Sequence, residues 1–334
     1  MSDVRITERL GAGQVARAAE LLRGGGTVAF PTETVYGLGA NALDSVAVGK
    51  IFTAKERPHW DPLIVHVSDL EMLSRVAMPS ATAGALVRAF WPGPLTLLLP
   101  RTDAVPDAVT AGRPLVGVRI PKHPLALRLI EQAEVPIAAP SANRFGHTSP
   151  TTAAHVLEDL EGRIDAVLDG GATDVGVEST VFDVAAGVIY RPGAVTADMI
   201  RAVTGSEVQV YQAPVVPGVP ESLPSPGVGV RHYAPRARLV LVKNQDELQE
   251  RVGKSLGLQE RVGVMLPAGW ATPVGAVVYE WAAWKDGDDL ARRVFAGLRE
   301  LDAAGVMVIV CPLPMIGGVG LALRDRLEKA ARRS

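Results

Sequence analysis

The apolar positions of the chain change period repeatedly, and these changes predict alternating helices and strands. Val15, Ala18, Ala19 and Leu22 recur at helical spacing within 13–24, and Gly24, Gly25 and Gly26 end that run. T-V-A-F-P (27–31) then reads as a short buried strand. The same pattern predicts helices over 44–54, 80–91, 123–133 and 151–160. Short apolar runs predict strands over 63–67, 95–100, 116–120, 136–140, 166–169, 179–184 and 187–191. Several of these are close enough for hairpins, so a mixed, twisted α/β sheet with helices is expected.

The periodicity lapses over 212–236, where Pro214, Pro217, Pro220, Pro224, Pro226 and Pro235 crowd the chain. Such a stretch predicts a semi-extended linker. After it the alternation restarts. Strands are expected over 239–242, 262–266, 276–281 and 306–310, and helices over 245–256, 288–303 and 319–332. That is the pattern of a small doubly wound α/β domain. The predicted organisation is a catalytic domain over 1–205, a proline-rich linker over 206–236 and a C-terminal Rossmann-like domain over 237–334.

Length agrees with two domains, because 334 residues exceed what one core usually organises. Charge narrows the function. Lys and Arg number 34 against 36 Asp and Glu, so general affinity for nucleic acid or anionic membranes is not expected. Any cationic site must be local. Cys311 is the one cysteine, which excludes an internal disulfide and a multi-cysteine zinc site. Within V-M-V-I-V-C it reads as a buried core thiol. The first residues lack the apolar stretch of a signal peptide, and no apolar run reaches membrane-spanning length. A cytoplasmic location without membrane contact is expected.

Candidate chemistry falls on a few segments. In K-E-R-P-H-W-D-P-L (55–63), Lys55 and Arg57 would point the same way in extended chain, as a pair of cations for a polyphosphate. A solvated charge pair is the bland alternative. In A-P-S-A-N-R-F-G-H-T-S-P-T (139–151), Ser141, Asn143, His147, Thr148 and Ser149 bring polar groups to a strand end, where α/β sheets bind ligands. The alternative there is a polar turn with Ser149 or Thr151 capping the next helix. In P-T-E-T-V-Y-G-L-G (31–39), Gly37 and Gly39 would permit close approach of a ligand to backbone, although the loop is not of the Walker type. V-G-V-E-S-T-V-F-D (175–183) and Y-R-P-G-A (190–194) add Glu178, Ser179, Thr180 and Arg191. S-P-G-V-G-V-R-H-Y-A-P (225–235) places Arg231, His232 and Tyr233 in the linker. G-G-V-G-L-A-L-R-D-R-L (317–327) resembles a phosphate loop, but Leu323 stands where a third glycine would be. No G-x-S-x-G elbow and no H-E-x-x-H spacing occurs, so a serine hydrolase or zinc protease is not expected.

Taken in order, P-T-E-T-V-Y-G-L, K-x-R-P with P-L, P-S-A-N, E-S-T-V, R-P-G-A, R-H-Y-A-P and G-x-G-L-A-L resemble the threonylcarbamoyl-AMP synthase family in its long form. The resemblance implies a YrdC-like domain followed by a C-terminal domain. It also implies the joining of L-threonine, bicarbonate and ATP into threonylcarbamoyl-AMP and pyrophosphate, for a modified adenosine beside the tRNA anticodon. Lys55, Arg57, Ser141 and Asn143 would form the K-x-R and S-x-N signature of catalysis. Thr34, His66, Arg119, Ala139 and Ser179 match positions that hold threonine. Arg57, Asp61, Leu115, Ser141, Ser149, Arg191 and Tyr233 match positions around ATP. Mg²⁺ would arrive with the nucleotide, with no ligand from protein side chains. Downstream threonylcarbamoyl-transfer proteins would be partners, and tRNA itself a possible contact.

Two departures stand out. Asp61 replaces the usual asparagine, a carboxylate that would repel phosphate unless a metal or Arg57 offsets it. Gly229 and Val230 replace a cation and an aromatic in the linker. A linker folded over the nucleotide is an expectation that deletion of 225–235 would test. Two other readings were open: an RNA-binding module with the same fold, which the acidic balance opposes, and a carbamoyltransferase of hydrogenase maturation, whose zinc-finger cysteine pairs are missing.

Overall fold

The computed structural model describes residues 6–212, Ser225 and 233–332. Calls on Arg231, His232, Gly229, Val230 and most of the expected linker therefore lie outside the described residues. The chain forms two compact units, the first within 1–145, 150–174 and 178–229, the second within 146–149, 175–177 and 230–334.

In the first unit the strands are β1 (Glu8–Leu10), β2 (Val28–Phe30), β3 (Gly37–Asn41), β4 (Ile64–His66), β5 (Leu95–Pro100) and β6 (Leu115–Arg119). They continue with β7 (Ile137–Ala138), β8 (Ala166–Leu168), β9 (Thr180–Asp183), β10 (Val188–Arg191) and β11 (Gln209–Val210). Among the described residues they join in one sheet of order β1-β8-β2-β3-β7-β4-β6-β5-β9-β10-β11. Parallel and antiparallel pairs mix, as the hairpin spacing predicted.

The helices are α1 (Val15–Arg23), α2 (Ser45–Lys55), α3 (Leu70–Val76), α4 (Ala81–Phe90), α5 (Asp107–Thr110), α6 (Pro124–Ala133), α7 (Ala153–Leu160) and α8 (Ala197–Thr204). Their apolar faces close one continuous core against the sheet. Helix ends follow side-chain chemistry. The Asp44 carboxylate accepts the amides of Val46 and Ala47 to start α2, and Thr152 accepts from His155 to start α7. The expected cap at Ser149 or Thr151 is thus corrected to Thr152.

Strand β3 is a second correction. Its glycines serve strand packing, because a Cβ on Gly39 would lie 2.7 Å from Ile137 Cγ2 and 2.8 Å from Phe30 Cε1. Only a bare backbone lets β2 and β7 flank it so tightly, and no ligand is needed to explain the glycine.

The second unit holds β12 (Arg238–Val242), α9 (Gln245–Gly257), β13 (Val262–Ala268), β14 (Val277–Ala283), α10 (Gly287–Ala303), β15 (Val308–Pro312) and α11 (Gly320–Ala331). All strand pairs are parallel, in the order β12-β15-β13-β14. The α9 residues Leu248 and Val252 cover one face with Val262, Val264, Val308 and Val310. Cys311 is fully buried in β15, and burial alone pushes its thiol pKa far up, so it is no nucleophile.

Candidate functional site

Arg119 organises the first of two cationic clusters. It ends β6 beside its register partner His66 on β4, so both side chains leave the same face of the sheet. Both are buried. Arg119 Nε donates to His66 Nε2 at 3.0 Å, and one terminal nitrogen pairs with Glu33 Oε1 at 2.9 Å. The other donates to Thr32 Oγ1 and Thr34 Oγ1, each at 3.1 Å. Glu33 Oε2 in turn accepts the backbone amide of Lys122 at 3.0 Å.

This geometry sets protonation states. Burial, reinforced by the charge of Arg119, holds His66 well below its usual pKa. The imidazole is neutral and accepts through Nε2, which puts its proton on Nδ1. Burial also lowers Arg119, Glu33 offsets it, and Arg191 lowers it further. The nearby Arg191, at the end of β10, is buried rather than solvated. Its Nε donates to Ser179 O at 3.0 Å and a terminal nitrogen to Ser179 Oγ at 3.2 Å. Ser179 Oγ shares a 2.8 Å hydrogen bond with Thr96 Oγ1. Gly193 makes this turn possible, since a Cβ there would lie 2.4 Å from Thr180 N.

The second cluster centres on Lys55 and Arg57, and here the extended-chain expectation fails. Lys55 is the last residue of α2, and Glu56 follows with φ 54° in the left-handed region. The chain leaves the helix between the two cations through a left-handed residue, so the segment is not extended. Neither is solvated. Lys55 Nζ donates to the carbonyl oxygens of Ser141 and Asn143, and Phe145 N returns a 2.8 Å hydrogen bond to Lys55 O. Burial first, then the charge of Arg57, depresses the Lys55 pKa well below the usual range.

Arg57 donates to Asp61 O at 3.1 Å and Pro62 O at 2.8 Å, and pairs with Asp61 Oδ2 at 2.9 Å. Asp61 is therefore a buried counter-charge for Arg57, which removes the puzzle of its repulsion toward phosphate.

One segment links the clusters. Thr32 and Thr34 serve Arg119, and three residues beyond Thr34 Gly37 bridges to Ser141. Ala142 N donates to Tyr36 O at 2.8 Å. Of the residues named from sequence, Thr34, His66, Arg119, Ser179 and Arg191 gather around the first cluster, and Lys55, Arg57, Asp61, Ser141 and Asn143 around the second. Ala139 leads out of β7, with its amide bonded to Ile64 O at 2.8 Å. Leu115 starts β6, where it packs with Ile64, Leu98 and Val181. Ser149 and Tyr233 belong to the second unit. Glu33 and Thr96 carry no predicted role. Thr96 is a polar residue inside the apolar run L-T-L-L-L, whereas Glu33 sits among the threonines of T-E-T.

Similarity to known proteins agrees with this layout. Residues 20–193 match the family described as "Telomere recombination", and 195–332 match "Threonylcarbamoyl-AMP synthase, C-terminal domain". The chain is thus a two-part protein with a YrdC-type sheet domain and the appended domain of the long form. It is 42% identical to a threonylcarbamoyl-AMP synthase of Pyrococcus abyssi, over 98% of this chain and 97% of the relative. Identity is 43% to that of Bacillus subtilis, over 98% and 96%. A crystal structure of P. abyssi Sua5 complexed with L-threonine superposes with a TM-score of 0.90 at 41% identity, covering 98% of this chain and 97% of that one. The chain belongs to the threonylcarbamoyl-AMP synthase family.

Proposed function

We propose that this chain condenses L-threonine, bicarbonate and ATP into threonylcarbamoyl-AMP and pyrophosphate, supplying the modification of adenosine beside the tRNA anticodon. The observation that carries this is the buried Arg119 network, in a chain similar along its length to a protein solved with L-threonine. In this reading Thr34, His66, Arg119, Ala139 and Ser179 surround threonine. Four Arg119 hydrogen bonds already go to protein groups, so its main contribution is a fixed positive field with its geometry preset.

The chemistry needs positioning more than proton transfer. The threonine amine forms a bond to the carbon of bicarbonate with loss of water, and an oxygen of the resulting carbamate attacks the α-phosphorus. The bond from that phosphorus to the bridging oxygen breaks and pyrophosphate leaves. Arg57, Asp61, Leu115, Ser141, Ser149, Arg191 and Tyr233 are the proposed ATP contacts. Lys55 acts by holding the Ser141 and Asn143 carbonyls, which fixes the loop that faces the nucleotide. Among the described residues no group of three acidic, histidine or cysteine side chains could hold a metal. Mg²⁺ enters this proposal as part of the nucleotide. Bicarbonate and the downstream transfer proteins belong to the same proposal. Among the described residues no helix is long and apolar enough to cross a membrane, and we propose a cytoplasmic setting.

The test is incubation with ATP, bicarbonate and either threonine or serine, followed by pyrophosphate release and mass detection of the adenylate. A threonine-dependent product is expected. ATP turnover without an acyl-adenylate would overturn the reading.

A further inference from the structure

Helix α10 carries a stripe that the proposed chemistry leaves unused. Arg292, Phe295, Arg299 and Asp302 recur at spacings of three and four, so they share one helix face. The core face runs separately through Leu290, Val294, Leu298 and Leu301. The four stripe residues meet three segments of the second unit, 146–149, 175–177 and 233–237. A Cβ on Gly176 would lie 2.4 Å from Arg292 Cα, so 175–177 lies directly on the helix backbone. Phe295 stacks on Tyr233 with centroids 5.8 Å apart, and the Arg326 guanidinium sits 5.2 Å from the centroid of the same ring. Arg299 donates to the carbonyl oxygen of Thr148. Asp302 accepts the amides of Arg236 and Ala237 at 2.7 and 2.9 Å.

Two of these segments also hold each other. Ala234 N donates to Gly146 O at 2.8 Å, and Thr148 Oγ1 to Tyr233 O at 3.5 Å. Tyr233 is a non-glycine residue at φ 64°, a conformation that persists only where its surroundings impose it. Stacking, cation and backbone bonds do so here.

We propose that Arg299 is a positioning residue for ATP, acting on Ser149 through the Thr148 carbonyl. The proposal rests on the reading of Ser149 as an ATP contact. Thr148 O and Ser149 N belong to the same peptide group. A guanidinium on that oxygen polarises the peptide and strengthens its N–H as a donor toward an anion. It also fixes a loop that has little regular structure of its own. Lys55 does the same to the carbonyls of Ser141 and Asn143 at the other end of this loop. A cation on backbone oxygen is therefore used at both ends of 141–149.

The test titrates ATP and L-threonine separately onto the full chain. Arg299→Ala should weaken ATP binding about tenfold, the scale of a charge-assisted hydrogen bond. Threonine binding should change less than about twofold, and Arg299→Lys should recover part of the ATP affinity. Arg299→Met keeps the packing and reads the same loss if the alanine variant does not fold. ATP affinity equal to wild type in the folded variants would overturn the proposal. Equal losses for ATP and threonine would overturn it too, because Arg299 would then support the fold at large. Wild-type protein that binds ATP but makes no adenylate would sink the proposed reaction alone.

Discussion

The two cationic clusters of the first unit are built on opposite principles. Arg119 meets side chains: a carboxylate, an imidazole and two hydroxyls. Lys55 and Arg57 meet mainly backbone carbonyls, with Asp61 as the one carboxylate among their named partners. A network of side chains fixes the charge and orientation of each member, which suits recognition of a small polar substrate. Cations on carbonyls fix the path of the chain, which suits shaping a loop around a larger ligand. The difference separates the proposed threonine region from most of the proposed ATP region, with Arg191 on Ser179 where the two would meet, and it can be broken experimentally.

The largest effect is expected at Arg119. Both partners of the Arg119–Glu33 pair are about 5% exposed, so screening by solvent is slight. Arg119→Ala leaves a buried carboxylate without its counter-charge, which typically costs about 3–5 kcal/mol. Urea denaturation measures this. The double variant Arg119→Met with Glu33→Gln should recover most of the loss while remaining unable to bind threonine. Equal stability of the single and double variants would show that the network does not carry the pair.

Next come Lys55→Ala and Arg57→Ala. Each should lower adenylate formation at least about tenfold, near 1.4 kcal/mol of transition-state stabilisation. If the comparison holds, the loss appears mainly in the ATP KM, with threonine affinity little changed. Wild-type rates in both variants would remove them from the proposed site. A parallel loss of threonine affinity would merge the two clusters into one.

His66 supplies a pH-dependent effect. Its folded pKa lies well below the unfolded value of about 6.5. In the window between the two, the unfolded chain binds more protons, so stability rises with pH. The contribution is full above about 6.5 and falls as pH drops, by at most about 1.4 kcal/mol per pH unit. Arg119 donates to the ring and remains in place, so His66→Gln should flatten this part of the profile. Gln offers an acceptor to Arg119 Nε without titrating. A slope unchanged by the substitution would assign it to other groups.

These clusters also show where sequence reasoning reached and where it stopped. Strongly periodic segments were legible: α1, α6, α7 and α10 fall close to their predicted ranges, as does the parallel alternation of the second unit. Strand β3 was not, because G-L-G-A-N has weak strand preference and its glycines answer to Phe30 and Ile137, which are distant in sequence or on another strand. The residues of the candidate site were named, yet their geometry was hidden. Nothing in K-E-R announces that Lys55 closes a helix and that Glu56 adopts a left-handed conformation between the two cations. Glu33 looked like loop polarity until Arg119, far along the chain, took it as a counter-charge.

The smallest effect is expected at Asp61, and it separates charge from shape. Asp61→Asn keeps an acceptor for Arg57 and removes the negative charge. Arg57 also retains the carbonyls of residue 61 and Pro62. The stability loss should therefore be about 1 kcal/mol or less, well below the cost of removing Arg57 and leaving the buried Asp61 charge without it. The sharper measurement is the cycle. Arg57→Ala combined with Asp61→Asn should be more stable than Arg57→Ala alone, because the carboxylate that needed the guanidinium is then neutral. A double variant no more stable than Arg57→Ala would show that Arg57 acts through the two carbonyls alone, which would sharpen the contrast with Arg119 by leaving no ion pair in the second cluster to speak of.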